Sequence, residues 1–239
     1  IVTKTFPPEI GGMQNLMCGL AKELSKNYMI KVFADYYDNH KTFDEKVSFS
    51  IERVGGIKFL RKYRKAQLIN EFVKKNKIEG IIVDHWKSLE LIRTNKKKIC
   101  LIHGKEINHE KGTSLNKRML EVLNSVETIV ANSEYTKNLA IQLGVQQNKV
   151  KVINPGVDKV MKLDKKTLDK VDNLLKHRSP RLITVSRFDK RKNHEKIIMV
   201  LRNLKQIYPD IVYICIGYGD EENNIKKLVE ELDLKEQVM

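Results

Sequence analysis

The sequence has 239 residues, of which 41% are hydrophobic and 31% are charged, and its formal net charge is +15. This composition excludes a disordered chain and gives enough residues for one large or two ordinary globular domains. No apolar run reaches the roughly 18 residues that a membrane-spanning helix needs, and no signal peptide is visible. The positive charge favours an anionic partner, although a lysine-rich genome would produce the same excess.

The three cysteines, Cys18, Cys100 and Cys215, each lie inside an apolar pattern and share no spacing typical of a metal site. We interpret them as small buried hydrophobic residues, which suits a reducing cytoplasm. Disulfide bonds and a zinc site are both disfavoured.

Strand and helix patterns alternate almost throughout the chain, which predicts parallel α/β layers. Helices are predicted over residues 13–25, 57–77, 113–124, 134–143, 194–207 and 221–232. Strands are predicted over residues 28–34, 47–54, 80–83, 98–102, 128–131, 149–153, 182–185 and 211–216, with the tail of a further strand at residues 1–2.

Residues 157–178 interrupt this alternation, because they are rich in lysine and aspartate and poor in apolar residues. The sequence therefore predicts two doubly wound α/β domains, residues 1–158 and 181–239, joined by a linker at 159–180 that carries a short helix. The chain opens without methionine and stops where another strand begins at Val238. We interpret it as a fragment whose second domain is incomplete.

Ligands of open parallel sheets bind beyond the carboxyl ends of the strands, so the residues that follow each strand are the candidates. They combine glycines, a hydroxyl, a pair of histidines and a basic loop: Gly11, Gly12, His85, His103, Ser133, Asn154, Arg187 to Lys192, and Gly217 to Asp220. Glycines precede one predicted helix, and a cationic loop precedes another. Both arrangements are suited to binding a phosphorylated ligand. The alternatives are a tight turn at Gly11–Gly12, a structural histidine and a solvated basic loop.

Several motifs of other nucleotide-binding proteins are missing. The fingerprint G-x-G-x-x-G is absent, since Gly217-Tyr-Gly219 lacks a third glycine, and no G-x-x-x-x-G-K-[ST] loop occurs. These absences disfavour an NAD-binding protein and a P-loop nucleotidase. His85, His103 and His109 do not have the spacing of a zinc site.

Five motifs in order resemble the retaining glycosyltransferases of family 4, which have the GT-B fold of two Rossmann-like domains facing across a cleft. They are Phe6-Pro-Pro-Glu-Ile-Gly-Gly-Met-Gln14, Ile102-His-Gly-Lys-Glu106, Val130-Ala-Asn-Ser-Glu-Tyr-Thr136, Asn154-Pro-Gly-Val-Asp158 and Val185-Ser-Arg-Phe-Asp-Lys-Arg-Lys192. Each motif is loose alone, whereas the set covers essentially the whole chain.

The resemblance implies a UDP- or GDP-sugar donor, held mainly by the second domain, and a glycan or lipid-linked acceptor, held by the first. It implies that Gly11 and Gly12 approach the donor diphosphate, that His103 contacts the transferred sugar, and that Arg187 and Lys192 bind the β-phosphate. Ser133 and Gly217 are further candidates for donor binding.

The resemblance further implies transfer with retention, without a metal ion or other cofactor, in the assembly of surface polysaccharide or lipopolysaccharide. The family's paired-glutamate motif would lie beyond the end of this chain. Part of the donor pocket therefore cannot be read, and we expect the isolated chain to be inactive.

The predicted helix at 57–77 has an apolar stripe formed by Phe59, Tyr63, Ala66, Ile69 and Val73. Basic residues surround that stripe, namely Lys58, Arg61, Lys62, Arg64, Lys65, Lys74, Lys75 and Lys77. Such a helix suits the surface of an anionic membrane, which would place a cytoplasmic enzyme at the inner membrane face. The alternative is an ordinary helix with one face in the core and the other in solvent.

Two other classes of function stay open at this stage. A basic nucleic-acid-binding α/β protein would interleave aromatic and basic residues on one surface. The aromatic fraction here is only 7%, and no such surface is evident, so we expect no nucleic-acid partner. A non-catalytic sensor of sugar nucleotides would share the fold and the motifs.

Overall fold

The structure, a computed structural model, describes residues 1–157 and 162–239, and these group into two compact units, Ile1–Asp158 and Lys159–Met239. The helices are α1 (Gly12–Leu24), α2 (Lys41–Asp44), α3 (Lys58–Lys75), α4 (Ser114–Asn124), α5 (Glu134–Leu143), α6 (Lys165–Leu174), α7 (His194–Ile207) and α8 (Glu222–Glu231). The strands are β1 (Lys31–Asp35), β2 (Ser50–Val54), β3 (Gly80–Val83), β4 (Lys97–Ile102), β5 (Thr128–Ala131), β6 (Val150–Val152), β7 (Arg181–Val185) and β8 (Val212–Ile216).

The sheet of the first unit is entirely parallel, and Val2 joins its two halves. β2 pairs with β1 on one side, and β3, β4, β5 and β6 follow in order on the other. Val2 forms parallel bridges to both Phe33 in β1 and Val83 in β3, so the segment predicted as the tail of a strand lies at the centre of the sheet. The strand order reverses at Val2. In open α/β sheets such a switch point is where ligands bind.

Both faces of this sheet are covered, which explains why its strands contain continuous apolar runs. One face packs around Trp86, Ile102, Ile107 and Met119, and the other packs around Phe6, Met17, Val32 and Phe49. These two layers fix the carboxyl ends of the strands along one edge.

Most predicted elements are confirmed with ends shifted by a few residues, and one helix was missed. Thr113 caps α4 by accepting a hydrogen bond from the Asn116 amide. The missed element is α2, whose four residues form a single turn that is too short for an apolar period. β1 and β2 begin three residues later than predicted, because residues 28–30 and 47–49 precede the paired segment.

The two halves of α3 have different surroundings, and one prediction about this helix was wrong. Ile69 is buried in the core, whereas Phe59 is 70% exposed and Tyr63 is 53% exposed. Lys65 was counted among the solvated cations, but it is buried. Its Nζ atom donates to the Thr3 carbonyl at 2.8 Å and to Asp35 Oδ1 at 2.6 Å, and these acceptors compensate for the lost hydration.

The second unit is built on β7 and β8, which pair in parallel, with α7 and α8 packed around Ile198, Leu201, Tyr213 and Ile225. Val238 forms a further parallel bridge to Tyr213. Helix α6 lies within the segment predicted as a linker, and the predicted boundary at 158–159 lies outside the described residues. None of the described helices has the length and apolar character needed to cross a bilayer.

Candidate functional site

Asp84 follows β3 at the switch point and holds the start of the neighbouring loop. Its Oδ2 atom accepts hydrogen bonds from the Thr3 hydroxyl at 2.5 Å and from the Lys4 amide at 3.3 Å. Burial raises the pKa of the Asp84 carboxyl, although these two hydrogen bonds and nearby Lys65 act in the opposite direction. Asp84 thus fixes the segment that leads towards Gly11.

The loop of residues 3–12, which we call the glycine loop, is held a second time at its middle. Phe6 is buried, and the Arg53 guanidinium lies over its ring while donating to the Pro7 carbonyl. Asp44 binds the same guanidinium through both carboxylate oxygens. The glycine loop is therefore anchored by buried charges from two sides.

Gly11 and Gly12 open helix α1 at the end of this loop. A Cβ atom on Gly11 would lie 2.3 Å from Gln14 Oε1, which is the far end of a flexible side chain. A Cβ atom on Gly12 would meet no atom within 4 Å, so the space in front of the first turn is open. The structure leaves this helix start accessible to a ligand, and phosphate binding by either glycine stays a prediction.

His103 follows β4 and lies beside Asp84. Its backbone amide donates to Glu106 Oε1. Burial is the largest influence on its pKa and lowers it, whereas the nearby carboxylates of Glu106 and Asp84 partly oppose the shift. Its Nε2 atom is buried and has no hydrogen-bond partner among the described residues.

A neutral imidazole carries its proton on one ring nitrogen and accepts a hydrogen bond at the other. A buried ring nitrogen without a partner is costly, and a hydroxyl group of a ligand, which can donate or accept, would satisfy Nε2 of His103. The chemistry of His103 thus suits a polyol.

His85 lies in the same cluster, and burial lowers its pKa to about 4. Its Nδ1 atom accepts a hydrogen bond from the Lys87 amide at 3.0 Å. The imidazole rings of His85 and His103 are consequently held neutral at the switch point, at a pH where a solvated histidine begins to take up a proton.

Ser133 caps α5, which gives its hydroxyl a structural role. Its Oγ atom accepts a hydrogen bond from the Thr136 amide at 3.2 Å and lies 3.1 Å from Thr136 Oγ1. Gly104, next to His103, is packed close to the same threonine, where a Cβ atom would lie 3.5 Å from Oγ1. The structure brings Ser133 and His103 onto adjacent loops, and contact of Ser133 with a donor stays a prediction.

The second unit presents a separate candidate, residues 186–193, which we call the basic loop. It follows β7, contains a 3-10 turn at Lys190–Lys192, and ends at Asn193, which caps α7 in a left-handed conformation. Lys192 is exposed, and the Arg187 side chain is 68% exposed with Asp189 as a distant partner at 3.6 Å. Both cations are therefore available to an anion at the start of a helix.

The backbone of the basic loop is fixed from the β8 side. Phe188 donates its amide to the Tyr218 carbonyl at 2.9 Å and accepts from the Glu221 amide at 3.0 Å. Gly217 has a φ of 156°, and a Cβ atom there would lie 1.8 Å from the Ser186 carbonyl oxygen. Gly217 thus lies beside the basic loop, and close backbone packing is sufficient reason for a glycine at this position. Donor binding by Gly217 stays a prediction.

His194 was missed as a site residue, because the sequence shows it only as the first residue of a helix. It is 2% exposed, and each of its ring nitrogens has a partner. Nε2 lies 3.1 Å from Ser186 Oγ, and Nδ1 lies 2.8 Å from the Tyr213 hydroxyl. A histidine directly after a cationic strand-end loop was the only available signal.

Within residues 1–157 and 162–239, no three histidine, cysteine, aspartate or glutamate side chains are placed to hold a metal ion.

Comparison with known protein families identifies the family to which this chain belongs. The sequence profile of Glycosyltransferase Family 4 matches residues 10–160, and the profile of Glycosyl transferases group 1 matches residues 165–239. The chain belongs to glycosyltransferase family 4. The resemblance seen in the five motifs is thereby confirmed.

A curated relative from Mycolicibacterium smegmatis, a GDP-mannose-dependent alpha-(1-6)-phosphatidylinositol monomannoside mannosyltransferase, is 21% identical over the whole of this chain. The chain spans 65% of the length of that relative.

Solved glycosyltransferase structures share the fold at low sequence identity. HepE from Anabaena, in complex with UDP, matches with a TM-score of 0.77 and 18% identity over 99% of this chain and 66% of its own. A glycosyltransferase from Rickettsia africae matches with a TM-score of 0.77 and 19% identity over 100% of this chain and 66% of its own. The fold is that of the GT-B glycosyltransferases, as predicted.

Within each unit, the fold places some of the predicted site residues close to one another. His103 and Ser133 lie on neighbouring strand ends of the first unit, and Gly217 lies against the basic loop with Arg187 in the second. The residues that sequence reasoning missed are mostly buried and polar, namely Asp84, Arg53, Lys65 and His194.

Proposed function

We propose that this chain is the part of a glycosyltransferase that holds the diphosphate of a nucleotide-sugar donor and the acceptor. The observation that carries the proposal is the basic loop, where Arg187 and Lys192 are exposed at the carboxyl end of β7 on a fixed backbone. Cations held in fixed positions beside the leaving group are what a developing phosphate charge requires.

In the proposed reaction, the bond between the sugar's anomeric carbon and the β-phosphate oxygen breaks. The acceptor oxygen bonds to that carbon on the same face, and its proton passes to the departing nucleoside diphosphate. Arg187 and Lys192 stabilise the negative charge of the leaving group, which removes the need for a divalent metal. No other cofactor takes part.

The first unit carries groups suited to the same class of ligand. The open helix start at Gly11 and Gly12 admits a diphosphate oxygen to backbone amides, and the neutral His103 ring accepts a hydrogen bond from a sugar hydroxyl. The relatives support a nucleotide-sugar donor, because structures of the Anabaena protein were solved with UDP and with UDP-glucose. A role in surface polysaccharide or lipopolysaccharide assembly fits WaaG, a structural neighbour involved in lipopolysaccharide biosynthesis.

A transfer assay tests the role of the cations, using a form of the protein that spans the full length of its relatives. Arg187→Ala and Lys192→Ala should each lower kcat by about 10²–10³-fold, the usual loss for one group that stabilises a developing anion. Lys190→Ala and Arg191→Ala are matched controls from the same loop and should stay within threefold.

Retained turnover in both Arg187→Ala and Lys192→Ala would refute the leaving-group role. Full activity after treatment with a chelator is expected, and loss of activity that Mg²⁺ restores would contradict metal independence. Donor binding without any transfer would favour the non-catalytic sensor.

The exposed half of α3 supports a second part of the proposal, contact with an anionic membrane on the cytoplasmic side. Ile57, Phe59, Leu60 and Tyr63 form an apolar patch in which each side chain is 48% to 70% exposed. Lys58, Lys62 and Arg64 are exposed on the same two turns. An apolar patch ringed by cations suits insertion between anionic headgroups, and a lipid-linked acceptor would then be within reach.

Vesicle sedimentation tests this contact. Changing Lys58, Lys62 and Arg64 to glutamate should abolish binding to vesicles that contain phosphatidylglycerol. The same three-charge reversal at Lys74, Lys75 and Lys77, at the other end of α3, should weaken binding far less. Equal effects of the two reversals would show a general charge effect and overturn the proposed surface.

A further inference from the structure

Building on the proposed function, we propose that His194 is a positioning residue that holds the basic loop, and with it Arg187, in the conformation that binds a diphosphate. His194 is buried, and both of its ring nitrogens are occupied by side chains of the same unit. It acts through Ser186, which begins the basic loop, and through Tyr213, which belongs to the neighbouring strand β8.

The hydrogen-bond directions in this chain of side chains follow from the number of protons available. The Tyr213 hydroxyl donates its single proton to Thr184 Oγ1 at 3.0 Å, so it accepts from His194 Nδ1–H. At the other side of the ring, His194 Nε2 lies within hydrogen-bond distance of Ser186 Oγ.

This chain ties the loop to the sheet through side chains. Thr184 and Tyr213 lie on paired strands, and His194 connects them to the strand end at Ser186. The Ser186 hydroxyl also lies 3.3 Å from the Arg187 carbonyl oxygen. Ser186 therefore connects the buried ring of His194 to the backbone of Arg187. The ring itself packs edge-on against Phe188, with centroids 5.0 Å apart.

The β8 side fixes the backbone at Ser186 and Phe188, as described above, and His194 fixes the opposite side. Arg187 lies between the two anchors and projects into solvent. A cation on a loop that is anchored on both sides loses less conformational freedom when it binds an anion, and preorganisation of this kind raises affinity. His194 therefore contributes to anion binding without contact with the anion.

The experiment uses inorganic pyrophosphate as the probe and this chain as it stands. His194→Phe keeps a ring of similar size and removes both hydrogen bonds, and Ser186→Ala removes only the bond to the loop. We expect pyrophosphate affinity, measured by calorimetry, to fall about 5–10-fold in His194→Phe and two- to fivefold in Ser186→Ala, in keeping with the loss of preorganisation. His177→Phe, at an exposed histidine of the same unit, is the control.

A double-substitution cycle separates positioning from general destabilisation. If His194 acts through Arg187, then His194→Phe should cause little further loss of affinity once Arg187→Ala is present. Hydrogen exchange gives a second readout that needs no ligand, and the amides of residues 186–192 should exchange at least threefold faster in both His194→Phe and Ser186→Ala.

The outcomes distinguish this inference from the proposed function. Pyrophosphate affinity that does not respond to Arg187→Ala would count against the proposed function, while exchange of the loop would still decide the role of His194. Affinity that falls with Arg187→Ala, but loop exchange and affinity that stay unchanged in His194→Phe and Ser186→Ala, would overturn the positioning role. Should His194→Phe fail to fold, Ser186→Ala alone decides in the same way.

Discussion

The two strand-end regions of this chain use charge in opposite ways. At the edge of the first unit, Lys65, Arg53 and Asp84 are buried and bind parts of the glycine loop. In the basic loop of the second unit, Arg187 and Lys192 are exposed, and the loop backbone is held by amides, glycines and a buried histidine.

This difference indicates where each region gets its rigidity. Buried charges need partners, and once paired they fix the backbone but have little left to offer a ligand. Charges on a loop fixed by uncharged groups stay available to a ligand. We infer that the paired buried charges of the first region fix its backbone, whereas the exposed charges of the second region are free to bind an anion.

Removing a buried cation is the strongest test of this contrast. Lys65→Met should lower the free energy of unfolding by about 3–5 kcal/mol, because Asp35 is left partly buried with weaker compensation. Lys62→Met, one helical turn away and exposed, should change it by less than about 0.5 kcal/mol. Urea denaturation measures both, and equal effects would show that Lys65 is no more structural than its neighbour.

A methyl group at Gly217 tests whether backbone packing holds the basic loop. Gly217→Ala should cost about 2–4 kcal/mol, because its Cβ atom would collide with the Ser186 carbonyl at a φ that alanine rarely adopts. Gly12→Ala is the matched control, since its Cβ atom meets open space. Thermal unfolding should rank the two variants clearly, and a stable Gly217→Ala would mean that the loop can move away from β8.

The neutral histidine at the switch point predicts a pH dependence of stability. Burial lowers the pKa of His85 in the folded state to about 4, whereas the unfolded value is about 6.5. Between these values the unfolded chain binds the proton and the folded chain does not, so stability falls as the pH decreases from about 7 to 4.

This linkage is worth about 2–3 kcal/mol. Asp84, whose pKa is raised, contributes with the opposite sign, so the comparison is made against His85→Asn, which retains an acceptor for the Lys87 amide. Denaturation curves at pH 4 and pH 8 should show a smaller pH-dependent loss in the variant. Parallel behaviour of the two proteins would contradict a neutral buried His85.

The smallest effect is expected where the charges are exposed. Arg187→Ala and Lys192→Ala should each change the free energy of unfolding by less than about 0.5 kcal/mol, because Arg187 has only a distant surface partner. Calorimetric unfolding checks this, with anion affinity measured on the same samples. A loss of several kcal/mol in either variant would place that cation with the structural ions of the first unit.

The sequence predicted the parallel α/β architecture because buried strands and amphipathic helices have clear periods. It also identified the strand-end residues, since in such sheets their position follows from the strand pattern alone. Arg187 and Lys192 could be found in this way, as a cluster of charge in one loop.

The partners of buried polar residues could not be predicted from one sequence. Lys65 has the same spacing as the exposed cations of α3, and only the approach of Thr3 and Asp35 from distant parts of the chain makes it structural. His194 is similar, because its role depends on Tyr213, 19 residues further on. Helix periodicity predicts the face of the helix on which a residue lies. It does not predict which hydrogen-bond acceptors from other parts of the chain lie against that face.

The burial of Lys65 also has a consequence for the reactivity of the folded protein. Amine-directed reagents modify lysines according to access, so Lys58 and Lys62 should react within minutes, while Lys65 on the same helix stays unmodified until the chain unfolds. Mass spectrometry of a proteolytic peptide from α3 would thus report two quantities. Modification of Lys58 and Lys62 measures access in the folded protein, and modification of Lys65 measures the rate of unfolding.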